Sequence, residues 1–223
     1  MPVTDLLYQW PSAARFERRV PKEKFYEHGS VNTALREKFI SEVDRVIWAY
    51  DLAQASINLE STAEVPDVAV FQVDAKATDV SEQVLAAIDK SIPRPIIFEI
   101  NRDVAGVRET RMVAAHKQLG AGSPKISQYF STGWQPADTG RQPLPTAITL
   151  PALYAALLEP LANVEVRPGE EMSQVADRLK TVGKLEREIK TLERKLRTEK
   201  QFNRKVELRR TLKTKQAQLE QQR

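Results

Sequence analysis

The chain has 223 residues, of which 41% are hydrophobic and 29% charged, enough for one domain with a substantial core and a smaller additional element. It contains no cysteine, which excludes disulfides, thiolate metal sites and a cysteine nucleophile, and which suits a reducing compartment. The apolar runs are far shorter than the roughly 18–20 residues of a membrane-spanning helix, and the first residues lack the pattern of a signal peptide. We therefore expect a cytoplasmic protein with no membrane segment.

The first part of the chain mixes proline, aromatic and basic residues without a clean period. This pattern predicts an N-terminal arm over residues 1–31, made of short helical pieces that pack aromatic side chains onto the following domain. The end of this arm combines positive charge with aromatic rings, a combination suited to contacts with a protein or a nucleic acid. The candidate contact residues here are Lys22, Lys24, Phe25 and Tyr26.

Regular patterns begin at Asn32, a residue type that favours the N-cap of a helix. Apolar residues then recur every three or four positions, which predicts one amphipathic helix over about 32–51. A short strand is predicted over 57–59. A stronger strand is predicted over 68–73, where β-branched residues dominate.

The second half of the body continues the alternation of helices and strands. Asp79 and Glu82 have the spacing of a capping box and predict a helix over about 80–91. A buried strand follows over 96–100. A turn then predicts a hairpin partner over 108–117.

The remaining body elements complete the prediction of the fold. We expect an edge strand over 129–134 inside a long exposed loop over 120–146, and a last helix over 150–161. The order of elements predicts an α+β fold, an α/β sandwich in which helices pack on a small mixed β-sheet. This domain is assigned to residues 32–166.

The charge of the chain is distributed unevenly. Residues 171–223 carry sixteen lysines and arginines against eight acidic residues, whereas residues 1–170 carry eighteen against twenty-two. The net charge of +4 therefore divides into −4 on the body and +8 on the tail. A helix-incompatible stretch at Arg167, Pro168 and Gly169 separates them.

The tail, residues 170–223, is rich in good helix formers, and its apolar residues are spaced by three or four positions. This spacing fails at about residues 200–203, where Asn203 is suited to cap a second helix. We predict a basic antiparallel helical hairpin, or coiled coil, with one continuous helix as the alternative. The apolar stripes are Val175, Leu179, Val182, Leu185, Ile189, Leu192 and Leu196, then Phe202, Val206, Leu208, Leu212 and Leu219.

The basic surface of the tail has two interpretations. One is a solvated helix face with internal ion pairs along the helix. The other is a contact with a phosphate backbone or an acidic partner near the turn, which the excess of positive charge favours. The candidate contact residues are Arg194, Lys195, Gln201, Phe202, Asn203, Arg204 and Lys205.

Catalytic patterns are sparse. Asp67, Asp74 and Lys76 resemble the PD…(D/E)xK signature of metal-dependent nucleases, in which two carboxylates hold Mg²⁺ and a lysine assists the attacking water. Both carboxylates flank one predicted strand, however, and a strand with polar ends is the simpler interpretation. His28 and His116 lie in unrelated contexts and are assigned structural or surface roles. With no Gly-rich phosphate loop and no ligand cluster, we expect neither a cofactor nor a metal.

Several segments together resemble an uncharacterised bacterial family labelled domain of unknown function 4391. They include residues 20–27, 45–50 and 199–208, of which the string over 201–208 is the most specific. The resemblance covers roughly residues 18–215. It implies a small cytoplasmic partner of DNA methyltransferases or helicase-type ATPases in restriction-like, phage-defence systems.

These observations lead to three functional hypotheses. The first is a non-enzymatic accessory subunit of a DNA-targeting complex, bound to a larger methyltransferase or helicase-type ATPase partner. The second is a Mg²⁺-dependent nuclease, and the third is a stand-alone DNA-binding protein. A homodimer through the C-terminal helices is compatible with each of them.

Overall fold

The structure, a computed structural model, describes residues 6–27, 32–119, 124–162, 172–199 and 201–222. It divides into two compact units, Met1–Asn163 and Val164–Arg223, which we call the body and the hairpin. The predicted boundary at residues 167–169 lies outside the described residues, as does His28.

The body is built on one mixed sheet. Within the described residues its strands follow the order β1-β2-β3-β4-β5-β6, and β7 pairs with β5. Only the pairing of β3 with β4 is parallel, and all the other pairings in this part of the chain are antiparallel. The strands are β1 (Arg15–Arg19), β2 (Val43–Ala53), β3 (Asp67–Ala75), β4 (Ile96–Val104), β5 (Val107–Gln118), β6 (Lys125–Ser131) and β7 (Gln135–Pro136).

Helices pack on both faces of this sheet, as the predicted α+β sandwich requires. The bounds of the body helices are α1 (Glu23–Glu27), α2 (Thr33–Glu42), α3 (Gln54–Ile57), α4 (Glu82–Ser91) and α5 (Leu150–Ala162), with a 3₁₀ turn at Ser12–Ala14. One face joins α1, α2 and α4 in a single core with the side chains of the central strands, among them Phe39, Phe71 and Phe98. On the other face, Tyr154 of α5 stacks on His116 of β5.

The predicted helix over 32–51 is wrong in its second half. Helix α2 ends at Glu42, and the chain continues as the eleven-residue strand β2. Two irregularities in the pairing with β3 shift the register of β2, and the side chains buried along it fall three residues apart. These buried residues are Val43, Val46, Ala49 and Leu52. The buried residues of this bulged strand therefore have a spacing close to that of a helix.

Other predictions at the borders of elements are also wrong. The predicted strand over 57–59 is instead the end of the short helix α3, after which Asn58 adopts a left-handed φ of 55°. The predicted capping box does not form, because Asp79 accepts a hydrogen bond from its neighbour Val80, and α4 begins after Ser81.

The exposed segments contain more strand than the sequence predicts. The N-terminal arm contributes the edge strand β1, which pairs with β2. The predicted loop over 120–146 contains β6 and β7, and β6 begins four residues before the predicted edge strand over 129–134. The predicted strands over 68–73, 96–100 and 108–117 and the predicted last helix are confirmed.

The hairpin consists of two helices, α6 (Met172–Thr198) and α7 (Phe202–Gln222). Leu219 near the end of α7 packs against Val182 and Leu185 in the first half of α6, so the helices run antiparallel. This arrangement confirms the predicted hairpin over the single helix. Helix α7 already begins at Phe202, so Asn203 lies in its first turn and the prediction that it caps the helix is wrong.

Polar contacts fix the same antiparallel register. The Lys215 ammonium pairs with the Glu188 carboxylate at 2.9 Å. Nearer the open end, the Arg178 guanidinium donates to the carbonyl oxygen of Gln222 at 3.0 Å. The apolar seam and these two contacts hold the open end of the hairpin together.

Candidate functional site

The positive charge of the hairpin is concentrated where the two helices join. Residues 190–213, which we call the basic end, contain ten lysines and arginines against three glutamates. The rest of the two helices, residues 172–189 and 214–222, contains five basic residues against four acidic ones. The open half of the hairpin is therefore close to neutral, and the closed half carries the charge.

Most of the basic side chains at this end face solvent. With about 1.5 Å of helix per residue, the basic end is about 15–18 Å long, and DNA of that length carries about ten phosphate charges. The exposed cations, eight in all, are slightly fewer than these phosphates. The exposed basic residues are Lys190, Arg194, Lys195, Arg197, Arg204, Arg209, Arg210 and Lys213.

The other predicted contact residues of the hairpin are placed close to this surface. Gln201 and Asn203 are exposed, and Lys205 is half-buried. The side chain of Phe202 lies outside the described residues. The backbone N–H of Gln201 donates to the Glu199 carboxylate at 2.9 Å, a contact that spans the junction between the helices.

A groove of about 650 Å³ runs between the two helices beside the junction. Its lining mixes Lys195 and Arg204 with Glu199 and Glu207. Both signs of charge therefore occur inside the groove, and other exposed basic residues, among them Arg194 and Arg209, do not line it.

The candidate contacts of the N-terminal arm are placed differently from the prediction. Phe25 is buried in the core of the body and stacks on Phe39 with 6.1 Å between ring centroids. Tyr26 meets the edge of the same ring at 5.7 Å. The prediction that Phe25 contacts a partner is therefore wrong, because it is a core residue. Lys24 is exposed, and Lys22 donates to the Val43 carbonyl at 3.0 Å.

The three residues of the predicted nuclease signature do not come together. Asp67 begins β3 and Asp74 lies near its other end, about 23 Å away at the 3.3 Å rise of a strand. Asp67 pairs with Arg94 at 3.0 Å, and burial raises the pKa of its carboxyl group. Lys76 donates to the Ile40 carbonyl at 2.8 Å. These residues cannot share one ion, and the described residues contain no group of three or more histidines or carboxylates arranged to hold a metal.

Asp74 belongs instead to a polar row that crosses one face of the sheet. The cross-strand partners Arg45, Asp74, Asn101, Thr110 and Gln135 share this face, because partners in adjacent strands project to the same side. Hydrogen bonds link the first four residues of the row from strand to strand. Gln135 is 4% exposed, and neither its amide nitrogen nor its carbonyl oxygen has a partner among the described residues.

A buried carboxylate lies on the same face of the sheet, two residues before Asn101 on β4. Glu99 is fully buried and accepts hydrogen bonds from the Trp10 indole at 2.7 Å and the Gln72 amide at 3.0 Å. The Arg141 guanidinium pairs with it at 2.6 Å. Trp10 and Arg141 come from segments far away in sequence, so the sequence offered no local signal for this cluster.

A second buried ion pair lies on the opposite face, between Lys117 and Asp89. The Lys117 ammonium also donates to the carbonyl oxygens of Ile92 and Arg94 just after α4, and Tyr129 donates to Asp89 at 2.7 Å. Burial lowers the pKa of Lys117 and raises the pKa of Asp89. The pair fixes the end of α4 against β5, which is a structural role.

Together the two units define a protein with a mixed α+β body and a separate basic helical hairpin. The chain belongs to the family described as Domain of unknown function (DUF4391), whose sequence model matches residues 9–219. No curated protein and no solved structure matches the chain. Within the described residues, the helices are too short or too polar to cross a membrane.

Proposed function

We propose that this protein is a non-enzymatic accessory subunit of a DNA-targeting complex and that the basic end of the hairpin contacts the DNA backbone. The observation that carries the proposal is the charge of that end, ten basic residues against three glutamates over residues 190–213. The larger partner is a methyltransferase or a helicase-type ATPase of a restriction-like, phage-defence system.

The physical basis of the contact is the release of counterions from DNA. Each phosphate that a lysine or arginine neutralises makes the slope of log affinity against log salt concentration more negative by about 0.9. A contact with about five phosphates therefore weakens roughly 500-fold between 50 and 200 mM salt. Such a contact reads no sequence, which suits a subunit that positions a complex while a partner supplies recognition or chemistry.

The conspicuous charges of the body support a structural rather than a catalytic role for that unit. Glu99 is held by Arg141, and Asp89 is held by Lys117. Asp67 is held by Arg94 at the far end of β3 from Asp74. Internal partners of opposite charge are the usual way to stabilise carboxylates inside a protein.

Fluorescence anisotropy with a labelled duplex tests the DNA contact on the full chain. The test variant is Arg194→Gln/Lys195→Gln/Arg204→Gln in the basic end. The matched control is Lys180→Gln/Lys184→Gln/Arg187→Gln, which removes the same charge from equally exposed positions of the open half. We expect at least a tenfold loss of affinity in the first variant and a much smaller loss in the second. Equal losses, or no binding by the wild-type chain at low salt, would contradict the proposal.

Purification of the tagged protein with its native neighbouring genes tests the accessory role. We expect a methyltransferase or a helicase-type ATPase to co-purify in a fixed ratio. If the chain elutes alone at physiological salt and yet binds DNA, it is a stand-alone DNA-binding protein and the accessory role is wrong.

A further inference from the structure

The carboxyl ends of the parallel strands β3 and β4 gather charged residues from four neighbouring strands. In open sheets with parallel strands, ligands bind at this end of the strands. Asp74 and Asn101 lie there, and the Asn101 amide donates to the Asp74 carboxylate at 3.1 Å. The antiparallel neighbours β2 and β5 begin at the same edge and contribute Arg45 and Arg108.

Asp74 holds these two arginines side by side. One carboxylate oxygen accepts from Arg45 Nε at 2.8 Å and Nη2 at 2.6 Å, and the other accepts from Arg108 Nη2 at 2.5 Å. The Asp74 side chain is only 12% exposed, whereas those of Arg45 and Arg108 are 47% and 43% exposed. A buried carboxylate thus fixes two guanidinium groups that remain open to solvent on their outer sides.

The donors that remain suit a tetrahedral anion. Arg45 Nη1 and Arg108 Nε have no hydrogen-bond partner among the described residues, while Arg108 Nη1 donates to the exposed Asp103 at 3.2 Å. Guanidinium N–H groups form charge-assisted hydrogen bonds with phosphate oxygens, and two guanidinium groups that Asp74 already holds lose little side-chain entropy when the anion binds.

Further charged groups lie at the same edge. The Lys22 and Lys76 ammonium groups lie close together at the adjoining ends of β2 and β3, and burial, followed by the charge of Lys76, lowers the pKa of Lys22. Glu23 and Asp44 lie near Lys22, and Asp103 pairs with Arg108. With Arg45, Arg108 and Asp74 included, these positive and negative charges balance, so the placement of the two guanidinium groups, and not a net charge, favours an anion.

From this arrangement we propose that the body contains a phosphate-binding site between Arg45 and Arg108, with Asp74 as the residue that positions both. The ligand class is a phosphate group, either free or at the end of a nucleic acid. The site lies in the body and does not rest on the proposed function of the hairpin.

Isothermal titration calorimetry of the full chain with inorganic pyrophosphate at low ionic strength tests the site. We expect one binding site in the wild-type chain and about a tenfold or greater weakening in Arg45→Gln and in Arg108→Gln, since each removes a charged hydrogen-bond donor. Arg15→Gln is the matched control, because Arg15 is an exposed arginine of the same sheet at the far end of β1 from this edge. The hairpin variant R194Q/K195Q/R204Q keeps the site, which separates this test from that of the hairpin.

Thermal melts check that each variant is folded. The variants Arg45→Lys and Arg108→Lys keep the positive charge and serve as conservative replacements. They retain part of the affinity if the arginines bind the anion directly. Tighter binding of a 5′-phosphorylated tetranucleotide than of its 5′-hydroxyl counterpart assigns the site to a nucleic-acid end, and binding of pyrophosphate alone assigns it to a free phosphate. The proposal is wrong if the wild-type chain does not bind either phosphorylated probe at millimolar concentrations, or if R45Q and R108Q bind as R15Q does.

Discussion

Replacement of Lys117 by methionine is expected to destabilise the body strongly. The Lys117 side chain is fully buried, and the Asp89 carboxylate beside it is 1% exposed. Methionine fills a similar volume but leaves the carboxylate without its countercharge. Removing one member of a buried pair costs about 3–5 kcal/mol of the free energy of unfolding, because the other charge stays buried and uncompensated. The carbonyl oxygens of Ile92 and Arg94 also lose their donor.

The pH dependence of this loss follows from the pKa of Asp89. Burial already raises this pKa in the wild-type protein, and the positive charge of Lys117 opposes the rise. Without that charge the pKa of Asp89 in the folded protein rises further above its value in the unfolded chain. Stability of the variant therefore falls as pH rises above about 4, the ordinary pKa of an aspartate. The loss relative to wild type is larger at pH 7 than at pH 5.

Urea unfolding followed by circular dichroism at pH 5 and pH 7 measures both effects. The double variant Lys117→Met/Asp89→Leu serves as the control, and it recovers much of the loss because no unpaired charge remains. A loss below about 1 kcal/mol in Lys117→Met, typical of an exposed ion pair, would refute the argument from burial. The argument would also be refuted if the double variant loses more free energy of unfolding than the two single variants lose when their losses are added.

Three further predictions concern other buried polar groups. Gln135→Met is expected to raise the free energy of unfolding by about 1–3 kcal/mol, because an unpaired buried amide is removed, and a lowered melting temperature would show that the amide has a partner. Arg141→Met is expected to cost about 3–5 kcal/mol by leaving Glu99 unpaired, with partial recovery in Arg141→Met/Glu99→Gln, both measured by urea unfolding. The purified complex is expected to show no Mg²⁺-dependent DNA cleavage that depends on Asp74, and loss of a measured cleavage activity in Asp74→Ala would contradict the non-enzymatic role.

Local patterns in the sequence predict much of this fold. The strong β-branched run of β3 and the helix formers of α6 and α7 are placed correctly. The hairpin could be predicted because the apolar spacing of the tail breaks near residue 200. The charge of its closed half follows directly from counting residues.

The errors have a common physical origin in contacts between distant segments. The register shifts of β2 depend on its pairing with β3, whereas the spacing of its apolar residues alone predicts a helix. The edge strand β1 exists because β2 offers it a partner. The polar row and the Glu99 cluster are likewise formed by strands far apart in the chain, and no spacing in the sequence indicates them.

The salt dependence of DNA binding tests the central claim most directly. The affinity of the wild-type chain and of R194Q/K195Q/R204Q for one duplex is measured by anisotropy over a series of salt concentrations. If the basic end contacts phosphates, the slope of log affinity against log salt becomes less negative by about 2.7 in the variant, since about 0.9 of its magnitude is lost with each of three contacts. The control K180Q/K184Q/R187Q keeps the wild-type slope. An unchanged slope in the basic-end variant would contradict the account.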